Sequence, residues 1–279
     1  MDERPFEAAV AGGVLPGHAG GNGAPALLLH GGPGAPDYLG GCAAELGGIF
    51  PTLRYTQRGT PPATAGPPYS VESHMEDALA VLDTFGLERA WAIGHSWGGQ
   101  LALHLAVAHP ERLYGVVCID AVGASPTVIP EFRENLFRRL SGADRARVEE
   151  LRATASGGEE GEQELLEQLS LVWPSLFADP AAASPCPIRH LGAACLADTV
   201  RSVDGHFEAG TLRQGLRHLV LPALFVHGSD DPLPLRASLE TARLIPGARV
   251  ARVPRCGHFP WLEQPGFTSR LVRGLFARL

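Results

Sequence analysis

Residues 91–106 read Trp91-Ala92-Ile93-Gly94-His95-Ser96-Trp97-Gly98-Gly99-Gln100 and then Leu101-Ala102-Leu103-His104-Leu105-Ala106. An apolar run arrives, glycines bracket one serine, and a helix-forming run leaves. This predicts a strand, a turn too tight for ordinary residues, and a helix. Gly94 and Gly98 flank Ser96 in the G-x-S-x-G pattern, where small neighbours let the chain reverse while the serine is held strained with its hydroxyl exposed. The helix begins directly behind it. Its free N–H groups and its dipole favour negative charge at that point. Ser96 is therefore a candidate nucleophile, although the motif also occurs by chance as a plain glycine-rich turn.

Other stretches repeat the alternation of strand and helix. Phe6 to Val10 reads as a first strand, and the Gly-rich stretch 12–25 as a hairpin or loose loop. Ala26-Leu27-Leu28-Leu29-His30 is a short apolar run of the kind buried on both faces of a parallel sheet. It ends in His30-Gly31-Gly32-Pro33-Gly34, where glycines let backbone N–H groups approach a ligand. That loop would supply a second donor to an oxyanion, opposite the N–H of Trp97. A short helix is expected within 36–46, a strand over 49–55, a Ser70-capped helix ending at Gly86, a strand over 89–93 and another over 113–120. The fold class is α/β, a mostly parallel central sheet flanked by helices.

After Val122 the pattern changes. Residues 130–218 hold no strand-like run, and 132–140, 144–153 and 162–177 read as amphipathic helices punctuated by Gly157-Gly158 and by prolines. Strands resume at Leu221 to His227 and Ala248 to Val253, and 267–279 reads as a closing helix. The organisation expected is a core of residues 1–122 and 219–279 with a helical cap over 123–218.

Composition removes several classes of function. The net charge is −7 with no clustered basic face, which argues against nucleic acid as a partner. No lysine occurs, so a Schiff-base lysine, a Ser-Lys dyad and a P-loop lysine are all excluded. The five cysteines, Cys42, Cys118, Cys186, Cys195 and Cys256, form no C-x-x-C pair, so reduced thiols are expected and a zinc site has little support. No apolar run is long enough to span a membrane, and the start lacks the apolar core of a signal peptide, so a cytoplasmic location is expected.

A serine hydroxyl needs a base, and the base needs an acid to orient it. Following Ser96 in chain order are His227-Gly228-Ser229-Asp230-Asp231-Pro232 and Pro254-Arg255-Cys256-Gly257-His258-Phe259. Each follows a buried strand, at the sheet edge where Ser96 also lies and where parallel α/β sheets bind ligands.

With these stretches the chain resembles the α/β-hydrolase superfamily. The resemblance implies Ser96 as nucleophile, His258 as general base and acid, Asp231 as the orienting carboxylate, and the N–H groups of Gly32 and Trp97 as oxyanion hole. It selects Asp231 over Asp230 by the G-x-x-D spacing, with Asp120 as the alternative acid, and makes Gly32–Pro33 a candidate cis bond. Within the superfamily, the HGGPG stretch with Gln57-Arg58-Gly59 and a helical cap resembles the proline iminopeptidase-like branch. Thr56 stands where that branch has an aspartate. Trp173-Pro174-Ser175-Leu176-Phe177 lacks the branch's glutamate, for which Glu131, Glu134 or Asp179 could substitute. His95, Trp173 and Phe259 are the side chains expected to meet substrate. The expected function is hydrolysis of an ester, lactone or amide in a small molecule through an acyl-enzyme, with no metal or organic cofactor. An iminopeptidase-like aminopeptidase, an acyltransferase and a non-catalytic ligand-binding receptor on the same fold are the alternatives.

Overall fold

Eight strands form one sheet: β1 (Arg4–Val10), β2 (Gly13–Gly20), β3 (Ala26–Leu29), β4 (Thr52–Tyr55), β5 (Ala90–His95), β6 (Leu113–Ile119), β7 (Ala223–Gly228) and β8 (Arg249–Val253). They lie in the order β1-β2-β4-β3-β5-β6-β7-β8. The computed structural model describes residues 3–21, 24–154 and 158–276. β1 and β2 are an antiparallel hairpin, β2 joins β4 antiparallel, and every later pairing is parallel.

The helices are α1 (Gly40–Leu46), α2 (Val71–Thr84), α3 (Trp97–Ala108), α4 (Val128–Arg139), α5 (Gly142–Thr154), α6 (Gly158–Val172), α7 (Ala193–Ala209), α8 (Thr211–Leu216), α9 (Arg236–Ala242), α10 (Pro260–Glu263) and α11 (Phe267–Phe276). Alternate residues of each central strand feed opposite layers. Ala92, Val116 and Phe225 pack with Val81, Leu82, Leu101 and Leu216, while Ile93, Val117 and Val226 pack with Leu46, Phe50, Trp261 and Val272. Burial on both faces explains the unbroken apolar runs, and each buried aliphatic side chain contributes about 1.5–3 kcal/mol. Residues 97–106 of α3 are all buried, so this helix lies inside the fold. Ser70 Oγ accepts the Ser73 N–H at 3.2 Å and caps α2.

Several boundaries differ from the sequence reading. Of the two alternatives for 12–25 the hairpin is the one formed, with Gly13–Gly20 pairing as β2 against β1. α4 starts at Val128 because Pro130 falls in its first turn, where no intrahelical N–H is required. A 3-10 turn over Trp173–Leu176, with Pro174 inside it, follows α6. α7 was not anticipated. The Gly32–Pro33 bond is trans; the cis bonds among the described residues are Pro61–Pro62 and Pro67–Pro68. The end of the closing helix predicted over 277–279 lies outside the described residues.

Helices α4 to α8 occupy the connection between β6 and β7 and rest on the C-terminal edge of the sheet. Asn135 Nδ2 donates to the Pro232 carbonyl at 2.7 Å, and the His258 N–H donates to the Leu176 carbonyl at 2.8 Å. The Gly192 N–H donates to the Gly34 carbonyl at 2.8 Å. At that crossing a Cβ on Gly34 would meet Gly192 O at 2.5 Å, one on Gly192 would meet Gly59 O at 1.9 Å, and one on Gly59 would meet Cys195 Cβ at 2.4 Å. Only glycine fits at these three positions. No helix among the described residues is long and apolar enough to cross a membrane.

Burial holds the imidazoles of His74 and His104 down to about 3, and those of His30, His95 and His227 below the ordinary value of 6.5. The unfolded chain takes up these protons near the ordinary value, so it binds more protons than the folded one in this window. Stability is thus fully present above the unfolded value and is lost as the pH falls toward the folded ones. Asp77 and Asp120, raised by burial, act in the opposite sense but are fewer. Each uncompensated histidine removes about 1.4 kcal/mol per pH unit. The urea midpoint is expected to fall steadily between about pH 7 and about pH 5. A flat profile would show that these histidines charge without unfolding the chain.

Candidate active site

The tight turn after β5 is built as its glycines require. A Cβ on Gly94 would lie 2.0 Å from Gly98 O, and one on Gly98 would lie 2.0 Å from Leu29 O. Ser96 adopts φ 55°, ψ −118°, a conformation that side chains rarely take and that costs on the order of 1–3 kcal/mol. The Ile119 carbonyl accepts its N–H at 2.9 Å, and its own carbonyl accepts the Gly99 and Gln100 N–H groups, which holds the turn. Ser96 is only partly buried in an otherwise buried run. Trp97 is the first residue of α3, where an N–H has no intrahelical acceptor.

The loop after β3 runs beside the serine: a Cβ on Gly31 would come within 2.8 Å of Ser96 Cβ. Gly32 follows with φ 65°. This loop is clamped from beneath. Gln57 Nε2 donates to the His30 carbonyl at 2.8 Å, the Gln57 N–H donates to His30 Nε2 at 3.0 Å, and Trp97 Nε1 donates to Gln57 Oε1 at 2.9 Å. His30 Nδ1–H then faces the Gly31 carbonyl at 2.9 Å, which fixes a neutral tautomer.

The other two candidates meet on the loops after β7 and β8. His258 Nδ1 donates to Asp231 Oδ2 at 2.8 Å, and Asp231 Oδ1 accepts the Leu233 N–H at 2.8 Å. Both side chains are almost wholly buried. Burial pushes the Asp231 carboxyl up, but the charge of His258 and its hydrogen bond outweigh this and hold it below the usual value. With Nδ1–H bound to Asp231, His258 has Nε2 left to exchange a proton. The Asp120 alternative does not reach His258 in this way; its Oδ1 accepts the Gly228 N–H at 2.8 Å.

His95, Trp173 and Phe259 lie in one aromatic cluster around His258. His95 is buried with both nitrogens engaged: Nδ1 with Tyr38 Oη at 2.7 Å and Nε2 with the His258 carbonyl at 2.7 Å. Since Nε2–H donates to a carbonyl, Nδ1 accepts from the Tyr38 hydroxyl, which in turn accepts the Gly31 N–H at 2.9 Å. Tyr38, which the sequence did not single out, thus ties the loop after β3 to His258 through His95. Trp173 Nε1 donates to the Ser184 carbonyl, and its ring lies 4.7 Å from that of Phe259. Phe132 of α4 stacks on His258 at 6.0 Å. Glu263 accepts the N–H groups of Ala178, Gly257 and Phe259 at 2.8, 2.9 and 3.2 Å, fixing the His258 loop. Its only sequence signal is position, five residues after the histidine.

A mostly parallel sheet carrying a strained serine, a histidine and a carboxyl at one edge defines an α/β-fold hydrolase. The chain belongs to the alpha/beta hydrolase fold family, which it matches over residues 25–265. It is similar to a 2-hydroxymuconate semialdehyde hydrolase of Pseudomonas putida, 30% identical over 93% of this chain and 89% of that one. It is also similar to a proline iminopeptidase of Lactobacillus delbrueckii subsp. bulgaricus, 25% identical over 86% of this chain and 85% of that one. Among solved structures, an alpha/beta fold family hydrolase from Bacillus anthracis str. Sterne shares the fold at a TM-score of 0.75 and 18% identity, covering 98% of this chain and 99% of that one.

Proposed function

We propose that the protein is a serine hydrolase acting on an ester, lactone or amide carbonyl of a small molecule, with a core of residues 1–122 and 219–279 and a cap of residues 123–218. The observation that carries this is the His258 Nδ1 to Asp231 Oδ2 bond of 2.8 Å, on the strand edge that presents the strained Ser96. In the first step Ser96 Oγ attacks the carbonyl carbon while His258 Nε2 takes its proton. The carbonyl oxygen becomes an oxyanion and accepts the N–H groups of Gly32 and Trp97. Collapse expels the alcohol or amine, which receives the proton from His258 and leaves an acyl-Ser96. Water, losing a proton to His258, attacks the acyl carbon; the bond to Ser96 Oγ then breaks, His258 returns that proton to Oγ, and the acid is released.

Aminopeptidase action on an N-terminal proline has less behind it. The acidic cap residues that would hold the substrate amine are engaged elsewhere: Glu131 pairs with Arg236 at 2.6 Å, Glu134 with Arg138 at 3.7 Å, and Asp179 caps the Ala181 N–H at 3.0 Å. Transfer to an acceptor other than water would use the same acyl-enzyme.

The test is labelling by a fluorophosphonate probe, followed by turnover of p-nitrophenyl esters, lactones, prolyl-arylamides and 2-hydroxymuconate semialdehyde. Labelling is expected in the wild type and not in Ser96→Ala or His258→Ala, with turnover falling by about 10³-fold or more in both variants. A folded wild type that takes no label would instead favour a ligand-binding protein on this fold. Preference for the arylamides would favour the aminopeptidase.

A further inference from the structure

Two buried carboxyl groups lie behind His258, and the proposed triad uses only one. Asp120, at the end of β6, is fully buried and has φ 45°, a left-handed conformation that few side-chain-bearing residues adopt. Its Oδ1 accepts the Gly228 N–H, but its buried Oδ2 has no donor to accept from among the described residues. A ligand atom from each of Asp120, His227 and Asp231 falls within one span of 4.8 Å.

Among the described residues no cation balances the second carboxyl. His227 Nδ1 lies 3.7 Å from Asp120 Oδ1, but this ring is already committed: Nε2–H donates to the Leu233 carbonyl at 2.9 Å and Nδ1 accepts from the Ser238 hydroxyl at 2.9 Å. That arrangement is the neutral imidazole. From the loop after β8 come His258, whose Nδ1–H goes to Asp231, and Cys256, whose thiol burial pushes up and keeps neutral. From α10 comes Glu263, committed to three backbone N–H groups. From β5 comes His95, kept neutral by burial. Asp230 adds only more negative charge, its own carboxyl accepting the Ser229 hydroxyl.

Two buried carboxyls this close cannot both be ionised without a cation, so they share one proton. Asp231 holds two donors and adjoins His258, so the charge settles there. Asp120 has one donor and one oxygen with no donor to accept from among the described residues, so the proton settles on it. We propose that Asp120 is a protonated carboxylic acid at neutral pH whose Oδ2–H is directed to Asp231, making it a positioning residue that sustains the Asp231–His258 pair. Burial and the Asp231 charge both hold Asp120 well above the usual carboxylate range, in agreement with the geometry. The effect on catalysis rests on the triad reading; the proton on Asp120 does not.

Difference infrared spectroscopy of the full chain at neutral pH, wild type minus Asp120→Asn, is expected to show the C=O band of a protonated carboxylic acid, with Ser96→Ala giving the same band. Absence of that band would overturn the proposal. In p-nitrophenyl acetate hydrolysis, Asp120→Ala is expected to lower kcat/KM about tenfold and to raise the acid-limb pKa. Asp120→Asn suits the left-handed backbone and supplies an N–H in place of the O–H, so it should recover most of that loss with the wild-type acid limb. If Asp120 is ionised instead, Asp120→Asn deletes a negative charge beside His258 and the acid limb drops by roughly one unit or more, which overturns the proposal. A wild type that neither hydrolyses nor takes a fluorophosphonate label would sink the triad reading alone, and the infrared band would still decide the proton.

Discussion

Asp231→Asn is expected to lower kcat for ester hydrolysis about 10⁴-fold while leaving KM within a few-fold, a loss of about 5.5 kcal/mol in transition-state stabilisation. The substitution keeps size and shape, so Oδ1 can still accept the Leu233 N–H. The amide nitrogen then faces His258 Nδ1, where it can only donate. The imidazole must turn over its tautomer, placing the hydrogen on Nε2, and it can no longer accept the proton of Ser96. The site is buried, so water cannot substitute for the missing acceptor. Circular dichroism and the urea midpoint should match the wild type, separating a tautomer effect from misfolding. A loss under about a hundredfold would indicate that Asp120 can take over as the acid.

Arg58→Ala is expected to cost about 3–5 kcal/mol of folding stability. Arg58 is 1% exposed and grips both oxygens of Asp77 on α2, at 2.7 and 2.6 Å. It also donates to the carbonyls of Gly66 and Pro68, each at 3.0 Å, and so fastens the Pro-rich loop to the sheet. Truncation strands a buried carboxylate and two carbonyls together. The urea midpoint should fall sharply with its slope unchanged, and Arg58→Met combined with Asp77→Leu should recover most of the loss, because the pair's cost is desolvation. A drop below about 1 kcal/mol would mean that water reaches Asp77 in place of the guanidinium.

The core of this fold was legible because its strands are buried on both faces. Ala26 to Leu29 and Leu113 to Ile119 must be apolar at nearly every position, and the loops that end them stand out in contrast. The serine turn was legible for a related reason: backbone crowding at Gly94 and Gly98 leaves no other residue type possible. α7 was not legible. Its buried stripe is Cys195, Thr199 and Val203, a four-residue spacing carried by small or polar side chains, and the helix follows Gly192, which offers no side-chain cap. The partners that order the site were also hidden. Tyr38 and His95 are 57 residues apart, and Asp120 and Gly228 are 108 apart, so their hydrogen bonds have no local pattern to betray them.

The crossing of Gly34, Gly59 and Gly192 sets terms for redesign. A library meant to broaden substrate scope should hold these three positions constant, since any side chain there would drive the inserted helices off the sheet before a new pocket could form. Diversity belongs instead on α4, where Phe132 lies over His258 and its removal leaves the backbone crossing untouched. Breeding new specificities into this scaffold is therefore a problem of choosing which end of the insertion to vary.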